Sequence, residues 1–209
     1  MESYMNRISN TGIVPVVKIL EKEDAYPLAK ALLNGGIDVI EVTYRSEHAT
    51  SAIQTISEQL SDMLVGAGTV LSVEQAKEAV QAGAKFIITP GFNTKVVQWC
   101  LDHDVEVYPG VSTASEVEMA LSMGLTQLKF FPAESSGGAK KLKDLSAPYA
   151  NVHFMPTGGI NTKNMHDYLS LPNVEAIGGS FMLPNDLVVA KDWDGIEALS
   201  RSAIKSLLD

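Results

Sequence analysis

The chain has 209 residues, of which 45% are hydrophobic and 20% charged, a composition typical of a globular protein and unlike that of disordered or collagen-like chains. Asp and Glu number 25 against 16 Lys and Arg, so the formal net charge is −9. This balance argues against a general nucleic-acid binder, whose affinity for phosphates needs clustered cations. The one cysteine, Cys100, has no partner for an intrachain disulfide and cannot build a cysteine-based zinc site.

The start of the chain and its apolar stretches bear on whether the protein is exported or spans a membrane. Residues 1–7 do not show a basic start followed by an apolar run, so a secretory signal is not expected. No uncharged apolar stretch approaches the roughly 18 residues that span a bilayer. We therefore expect a cytoplasmic protein that binds neither membranes nor nucleic acid.

Short apolar runs recur along the whole sequence, with starts 19 to 26 residues apart. Each run is nearly continuous in apolar residues, as expected for a parallel strand that is buried on both faces. These runs predict eight strands, at 13–19, 39–43, 64–69, 86–89, 105–108, 127–131, 152–155 and 176–177.

Helical signals occur between the predicted strands. Ser72 with Gln75, and Thr113 with Glu116, have the spacing of a capping box, in which each side chain of a pair bonds the backbone of the other. Residues 24–34 place apolar side chains four apart, as on one face of a helix. The sequence therefore predicts strand and helix in regular alternation.

Eight such units predict an α/β fold and, specifically, a closed (βα)8 TIM barrel. Such barrels usually have about 250 residues with a lower limit near 200, so this one must be compact. We expect a single domain over 1–209, with a short N-terminal leader at 1–12 and a final helix at 193–208. The alternative is an open doubly wound sheet, which normally has fewer strands and a Gly-x-Gly-x-x-Gly turn that is missing here.

Lys129 interrupts an apolar strand, between Leu128 and Phe130. Burial disfavours the charged form of an amine, and a neutral amine is a nucleophile towards ketones, as Schiff-base chemistry requires. The alternative is a lysine that extends to the barrel rim and keeps its charge in water. This strand alone does not decide between them.

Glu41 lies in another apolar strand, where alternation places Glu41, Thr43 and Arg45 on one side. A carboxylate inside a barrel can move protons, but it can also form a structural ion pair with Arg45 or Lys129. Because the active site of a barrel lies at the carboxyl ends of its strands, a Lys and a Glu both near such ends favour catalysis. Arg45 ends its strand and offers a planar fork for a carboxylate, or is a solvated rim charge.

Two glycine-rich turns follow the last two strands, one at 156–160 and one at 177–180. Glycines let backbone N–H groups approach an anion closely, and we expect a helix to open at Asn161 and Thr162. The loops after strands seven and eight are the usual phosphate site of a barrel. The two turns therefore predict a phosphate site, with tight turns in a small barrel as the alternative.

The chain resembles the class I aldolases that act on 2-keto-3-deoxy-6-phosphogluconate (KDPG) and 4-hydroxy-2-oxoglutarate (KHG). The resemblance covers about residues 13 to 184, and its motifs occur in the family's order. They are 40–43 (IEVT) with Arg45, 66–70 (GAGTV), 89–91 (TPG), 109–113 (PGVST), 129–134 (KFFPAE), 156–160 (PTGGI) and 177–180 (IGGS).

The resemblance implies a homotrimer and a mechanism that uses neither a metal nor a cofactor. Lys129 would form the Schiff base and Glu41 would be the general acid and base. Lys18, which ends the first predicted strand, is a further candidate substrate contact or a rim cation. The other implied contacts are Arg45 and Thr69 to the substrate carboxylate, Pro90 and Phe131 as pocket walls, Thr157 to the substrate, and the backbones of Gly158, Gly159, Gly179 and Ser180 to phosphate.

The implied reaction is cleavage of KDPG to pyruvate and glyceraldehyde 3-phosphate, with KHG as a second substrate that yields pyruvate and glyoxylate. Three alternatives stay open at this point. A 2-keto-3-deoxy-6-phosphogalactonate aldolase would use the same residues. A sugar-phosphate isomerase or epimerase on the same barrel would use Glu41 as a base and leave Lys129 without a covalent role. A non-catalytic binder would need neither residue.

Overall fold

The computed structural model describes residues 3–207, and positions 1, 2, 208 and 209 lie outside the described part. Its strands are all parallel to their neighbours. They are β1 (Ile13–Val17), β2 (Val39–Thr43), β3 (Leu64–Gly68), β4 (Phe86–Ile88), β5 (Glu106–Tyr108), β6 (Gly110–Val111), β7 (Gln127–Phe130), β8 (His153–Pro156) and β9 (Ile177–Gly179).

Helices alternate with the strands, and all but the first form the outer layer. They are α1 (Tyr4–Thr11), α2 (Ala25–Asn34), α3 (Ala49–Gln59), α4 (Val73–Gln81), α5 (Thr94–Asp102), α6 (Ala114–Ser122), α7 (Gly138–Ser146), α8 (Met165–Leu169), α9 (Asn185–Ala190) and α10 (Trp193–Ser206). Single 3₁₀ turns lie at Lys22–Asp24 and Glu134–Ser136. None of the helices in the described part of the chain is long and apolar enough to cross a membrane.

The sheet closes on itself. One part has the order β5-β4-β3-β2-β1-β9 and the other the order β6-β7-β8. Pro109, which lacks an N–H donor, separates β5 from β6, so these two short strands together occupy the fifth barrel position. A parallel bridge between Thr157 and Gly178 joins β8 to β9. The predicted α/β class and the (βα)8 barrel are confirmed, and the open sheet is wrong.

Two sets of side chains alternate along the strands. One set packs outward against the helices and includes Ile40, Val42, Leu128 and Phe130. The other set fills the barrel interior towards its amino-terminal end. Its strand members are Val14, Val39, Leu64, Phe86, Ile88, Tyr108 and Met155.

The segment treated as a leader contains a helix that contributes to the barrel core. Ser3 caps α1 by accepting a hydrogen bond from the Met5 N–H, and Gly12 ends it in the left-handed conformation. Met5 and Ile8 of α1 pack onto the interior cluster. The helix therefore closes the amino-terminal end of the barrel, a contact that local periodicity did not predict.

Several element ends differ from the predictions. β1 ends at Val17, so Lys18 lies just beyond it. The helix expected to open at residues 161 and 162 begins at Met165 instead, because the side chains of Asn161 and Asn164 accept hydrogen bonds from the Lys163 and Asn161 N–H groups and hold this segment as a turn. The last helix, predicted over 193–208, spans Trp193–Ser206, and position 208 lies outside the described residues.

Candidate active site

A lysine and a glutamate meet inside the barrel. Lys129 on β7 and Glu41 on β2 alternate with outward-packing neighbours, so both side chains point inward. The Lys129 Nζ lies 3.2 Å from Oε1 and 3.4 Å from Oε2 of Glu41. Glu41 is fully buried and Lys129 is 4% exposed. Val39 of the interior cluster lies two residues before Glu41, which places the pair one layer nearer the carboxyl ends of the strands.

This geometry permits proton transfer between the two groups. Of the two ion pairs that the sequence allowed for Glu41, the one with Lys129 forms. A carboxylate within hydrogen-bond distance of an ammonium can accept its proton, which leaves a neutral, nucleophilic amine. Burying the pair also costs desolvation free energy, and losing either partner would leave an unpaired charge in the barrel.

Gly68 makes room for the Glu41 carboxylate. A Cβ atom added at Gly68 would lie 1.9 Å from Oε1 of Glu41, so any side chain here would displace the acid. β2 and β3 pair in register with Glu41 opposite Gly66 and Thr43 opposite Gly68. No local pattern in the sequence indicates this role of Gly68, because the role depends on cross-strand register.

Thr43 orients Arg45, the residue expected to bind a carboxylate. The buried Thr43 hydroxyl donates to the Val17 carbonyl at 2.7 Å and accepts from Arg45 Nε at 3.1 Å. Arg45 itself is exposed at the barrel rim. Its guanidinium is thus fixed at one nitrogen while the terminal nitrogens remain available. Thr43 was missed as a functional residue, although the predicted alternation placed it between Glu41 and Arg45.

Lys18, Arg45 and Ser180 line one small cavity of about 210 Å³ at the rim. Two cations and a hydroxyl in one cavity suit an anionic group despite the net negative charge of the chain. Lys18 forms no ion pair with any residue in the range 3–207. A larger cavity of about 670 Å³ lies near Tyr4 and Glu106, at the amino-terminal end of the barrel.

The predicted pocket walls, Pro90 and Phe131, lie just after β4 and β7, and Thr69, the predicted carboxylate contact, lies just after β3. Lys129 Nζ is 5.4 Å from the centroid of the half-buried Phe131 ring, close enough for a cation–π contact. Thr69 follows β3 with φ of +53°, a left-handed conformation that is strained for a β-branched residue. Such strain is concentrated at functional sites. Pro90 follows β4, and its carbonyl packs where a side chain at Gly110 would stand.

Thr157 has a buried hydroxyl that is unpaired among residues 3–207. The residue is 5% exposed, and no hydrogen-bond partner is found for its Oγ1 within the described residues. The hydroxyl lies over Gly178, where an added Cβ would be 2.2 Å away. Because buried polar groups normally have partners, an unpaired hydroxyl at the carboxyl end of β8 is a candidate ligand contact.

The predicted turn at 156–160 has a backbone geometry that only glycine adopts easily. Gly158 and Gly159 have φ of +107° and +81°. An added Cβ at Gly159 would lie 2.7 Å from Cγ of Glu134, and one at Gly179 would lie 2.9 Å from the Phe181 ring. The side chains of Glu134 and Phe181 therefore pack directly against these glycines, and a larger residue at either position would displace them. The turn with Gly158 and Gly159 follows β8, but Gly178 and Gly179 lie within β9 and pair with β1, so the predicted turn at 177–180 is mostly strand.

Among residues 3–207 there is no group of three or more His, Cys, Asp and Glu side chains placed to hold a metal ion.

The chain matches a known protein family. A family model described as "KDPG and KHG aldolase" matches residues 4–199. The chain is 44% identical to the 2-dehydro-3-deoxy-phosphogluconate aldolase of Treponema pallidum, covering 98% of each chain. It is 43% identical to the KHG/KDPG aldolase of Escherichia coli K12, covering 95% of this chain and 93% of that one.

A solved structure shows the same architecture. The KDPG aldolase of Legionella pneumophila, with pyruvate captured as a covalent carbinolamine intermediate, superposes with a TM-score of 0.93 at 39% identity. The match covers 97% of this chain and 98% of that one. The resemblance deduced from the sequence motifs is confirmed: the chain belongs to the KDPG and KHG aldolase family.

Proposed function

We propose that the protein is a class I aldolase that cleaves KDPG to pyruvate and glyceraldehyde 3-phosphate, and that it also cleaves KHG to pyruvate and glyoxylate. The observation that carries this proposal is the buried contact of Lys129 with Glu41 at 3.2 Å. Membership of the aldolase family supports the same conclusion. An isomerase would leave the buried Lys129 without a chemical task.

Lys129 is the nucleophile in this mechanism. Glu41 accepts a proton from the Lys129 ammonium, and the neutral amine attacks the C2 ketone of the substrate. Glu41 then returns this proton to the C2 oxygen to give the carbinolamine. A second proton passes from the attached nitrogen through Glu41 to the same oxygen, which leaves as water as the protonated imine forms. The imine is the electron sink for the next step.

Carbon–carbon cleavage follows. Glu41 takes the proton of the C4 hydroxyl, and the electrons of the C3–C4 bond move into the imine. The aldehyde leaves and an enamine remains on Lys129. Protonation of C3 and addition of water then release pyruvate and restore the amine.

The surrounding residues hold the substrate. Arg45 and Thr69 bind its carboxylate. Thr43 supports this contact because its hydroxyl fixes the Arg45 side chain. Phe131 and Pro90 bound the pocket beside the imine. The unpaired hydroxyl of Thr157 forms a hydrogen bond with the substrate.

The far end of the substrate carries the phosphate. The backbones of Gly158, Gly159, Gly179 and Ser180 bind it, at the usual phosphate site of this architecture. Lys18, which shares a cavity with Ser180, adds a positive charge at the rim. This arrangement favours the phosphorylated substrate.

Borohydride trapping tests the imine. Incubation with pyruvate and sodium borohydride, followed by peptide mass spectrometry, should give a reduced pyruvyl adduct on Lys129. Lys129→Met should give none, and Lys140→Met, a change at an exposed lysine in an ion pair with Asp144, should trap like wild type. A folded wild-type protein that forms no adduct would remove the class I mechanism and favour the isomerase.

A separate experiment tests the phosphate site. The kcat/KM for KDPG should exceed that for KHG. A preference for KHG would contradict the phosphate site and leave Lys129 in its role. The C4 epimer, 2-keto-3-deoxy-6-phosphogalactonate, should be the poorer phosphorylated substrate.

We also propose a homotrimer, which family membership supports. Leu71 is 57% exposed beside a groove that Phe92 and Lys95 also line, and a second groove continues from Lys95 to Trp99. Light scattering after size exclusion should give three times the chain mass of 22.5 kDa. A monomer at micromolar concentration would contradict the proposal.

A further inference from the structure

A carboxylate stands beside the glycine turn that is proposed to bind phosphate. The Cγ of Glu134 lies 2.7 Å from the position that a Cβ would take at Gly159. Glu134 also donates its backbone N–H to the Gly158 carbonyl at 3.1 Å. A phosphate dianion on this turn would therefore have a negative side chain close to it, which disfavours binding unless the charge is directed elsewhere.

Tyr168 of α8 determines where that charge points. Its side chain is buried, at 1% exposure, and its hydroxyl donates to Oε1 of Glu134. This oxygen lies 3.5 Å from the position of a Cβ at Gly138, and the Tyr168 hydroxyl lies 3.4 Å from it. The charged end of Glu134 is thus held beside the first residue of α7, while its aliphatic stem faces Gly159.

The tyrosine is suited to a permanent donor role. Burial, and after it the hydrogen bond to Glu134, raise the pKa of Tyr168 far above its usual range. The hydroxyl therefore keeps its proton throughout the neutral range. The start of α7 adds a favourable electrostatic environment for a carboxylate.

We propose that Tyr168 is a positioning residue for phosphate selectivity, which holds the Glu134 carboxylate against α7 and away from the phosphate on the Gly158–Gly159 turn. The inference rests on the proposed phosphate site. Removal of the hydroxyl frees the charge of Glu134 to approach the bound phosphate. A substrate without a phosphate is insensitive to this change.

Four variants test the proposal, each assayed with KDPG and KHG. Tyr168→Phe should raise the KM for KDPG about tenfold with kcat unchanged, because the freed charge of Glu134 repels the bound phosphate. Its parameters for KHG should match wild type. Glu134→Gln keeps an oxygen acceptor and loses the charge, so its KM for KDPG should stay within about twofold of wild type. The double variant should regain the lower KM, because no charge is left to repel the phosphate.

Tyr149→Phe is the matched control, since the Tyr149 hydroxyl also donates to a glutamate, Glu118, at 2.9 Å but on α6. It should leave both substrates unaffected. Equal losses for KDPG and KHG in Tyr168→Phe would show a general structural role and overturn the proposal, as would a double variant as poor as Tyr168→Phe. If wild type itself shows no preference for KDPG, the phosphate site fails and the role of Tyr168 falls with it. A wild-type preference for KDPG together with an unchanged KM in Tyr168→Phe overturns the role of Tyr168 alone.

Discussion

Glu41 has one hydrogen-bond partner among the described side chains, the Lys129 amine. Glutamine at this position keeps the shape and one oxygen acceptor but cannot accept a proton. Glu41→Gln should therefore lower kcat for KDPG by about 10²- to 10⁴-fold, the usual contribution of one general acid or base. Steady-state kinetics of the variant measure this directly.

Two comparisons make this result interpretable. Lys129→Met should lose more activity than Glu41→Gln, because it removes the covalent intermediate. Glu41→Gln leaves the Lys129 charge without its buried partner, which destabilises the fold. A thermal denaturation curve is therefore needed to show that the variant is folded at the assay temperature. Wild-type kcat in a folded Glu41→Gln protein would remove Glu41 from the proton-transfer role.

Gly68 offers a test of how accurately the acid must be placed. The Cβ of Gly68→Ala would lie 1.9 Å from Oε1 of Glu41, so the carboxylate must move. Because a displacement of about 1 Å in an active site can cost about 10²-fold in rate, we expect a loss of that order in kcat. Gly91→Ala is the control, since open space surrounds that position and its φ is not positive. Equal kcat values for the two variants would contradict the prediction.

Single residues could be predicted where they broke a local pattern. Lys129 and Glu41 stood out because a charge within an apolar strand requires a partner or a task. Thr43 and Gly68 did not, because their effects depend on which residue lies across the strand or two positions along it. The left-handed backbone of Thr69 also had no local signal, since threonine seldom adopts it.

At the level of elements, α1 contributes to the stability of the fold because it packs on the barrel interior. Ile8 is fully buried in the interior cluster. Ile8→Ala should therefore lower the free energy of unfolding by about 2–5 kcal/mol, the cost of removing a large aliphatic side chain from a core. Urea denaturation provides the measurement. Activity at low temperature should be retained, since this cluster lies at the other end of the barrel from the active site.

Ile8→Val gives a graded comparison, with an expected loss of about 0.5–1.5 kcal/mol. If Ile8→Ala were as stable as wild type, α1 would not be part of the barrel core in solution. This helix lies outside the repeating strand-helix pattern. That is why the sequence indicated only a leader, even though the first turn carries a serine cap.

Element positions followed from the sequence better than element ends did. The capping box of Thr113 and Glu116 forms in full. In the other predicted box Ser72 accepts from the Gln75 N–H, but Gln75 accepts from the Leu71 N–H instead of bonding Ser72. Ends depend on such competition between nearby donors and acceptors, which residue types alone do not resolve.

For the whole molecule, the repeat of eight apolar runs predicted barrel closure, and closure brings Lys129 to Glu41 across 88 positions of sequence. Parallel strands present their carboxyl ends on one face, so residues that are far apart in the chain meet there. The division of the fifth strand at Pro109 was not predicted. The apolar run ends at residue 108, and the two residues of β6, Gly110 and Val111, are too few and include a glycine, so they show no strand pattern.

The whole fold also determines the ionisation of Cys100, the one cysteine of the chain. The thiol is fully buried on α5, and burial raises its pKa from the ordinary value near 9 to about 12. Above pH 9 the unfolded chain therefore loses this proton while the folded chain retains it. Stability should fall as pH rises from 9 towards 12, by at most about 1.4 kcal/mol per pH unit for a single proton.

Cys100→Ala isolates this effect. Other groups also titrate in alkaline solution, but they contribute equally to both proteins. The difference in free energy of unfolding, wild type minus variant, should be constant from pH 7 to 8 and should decrease between pH 9 and 10 in urea titrations. A difference that stays constant across the whole range would mean that the thiol ionises equally in the folded and unfolded chains. The thiol would then not be buried in solution as it is in the structure.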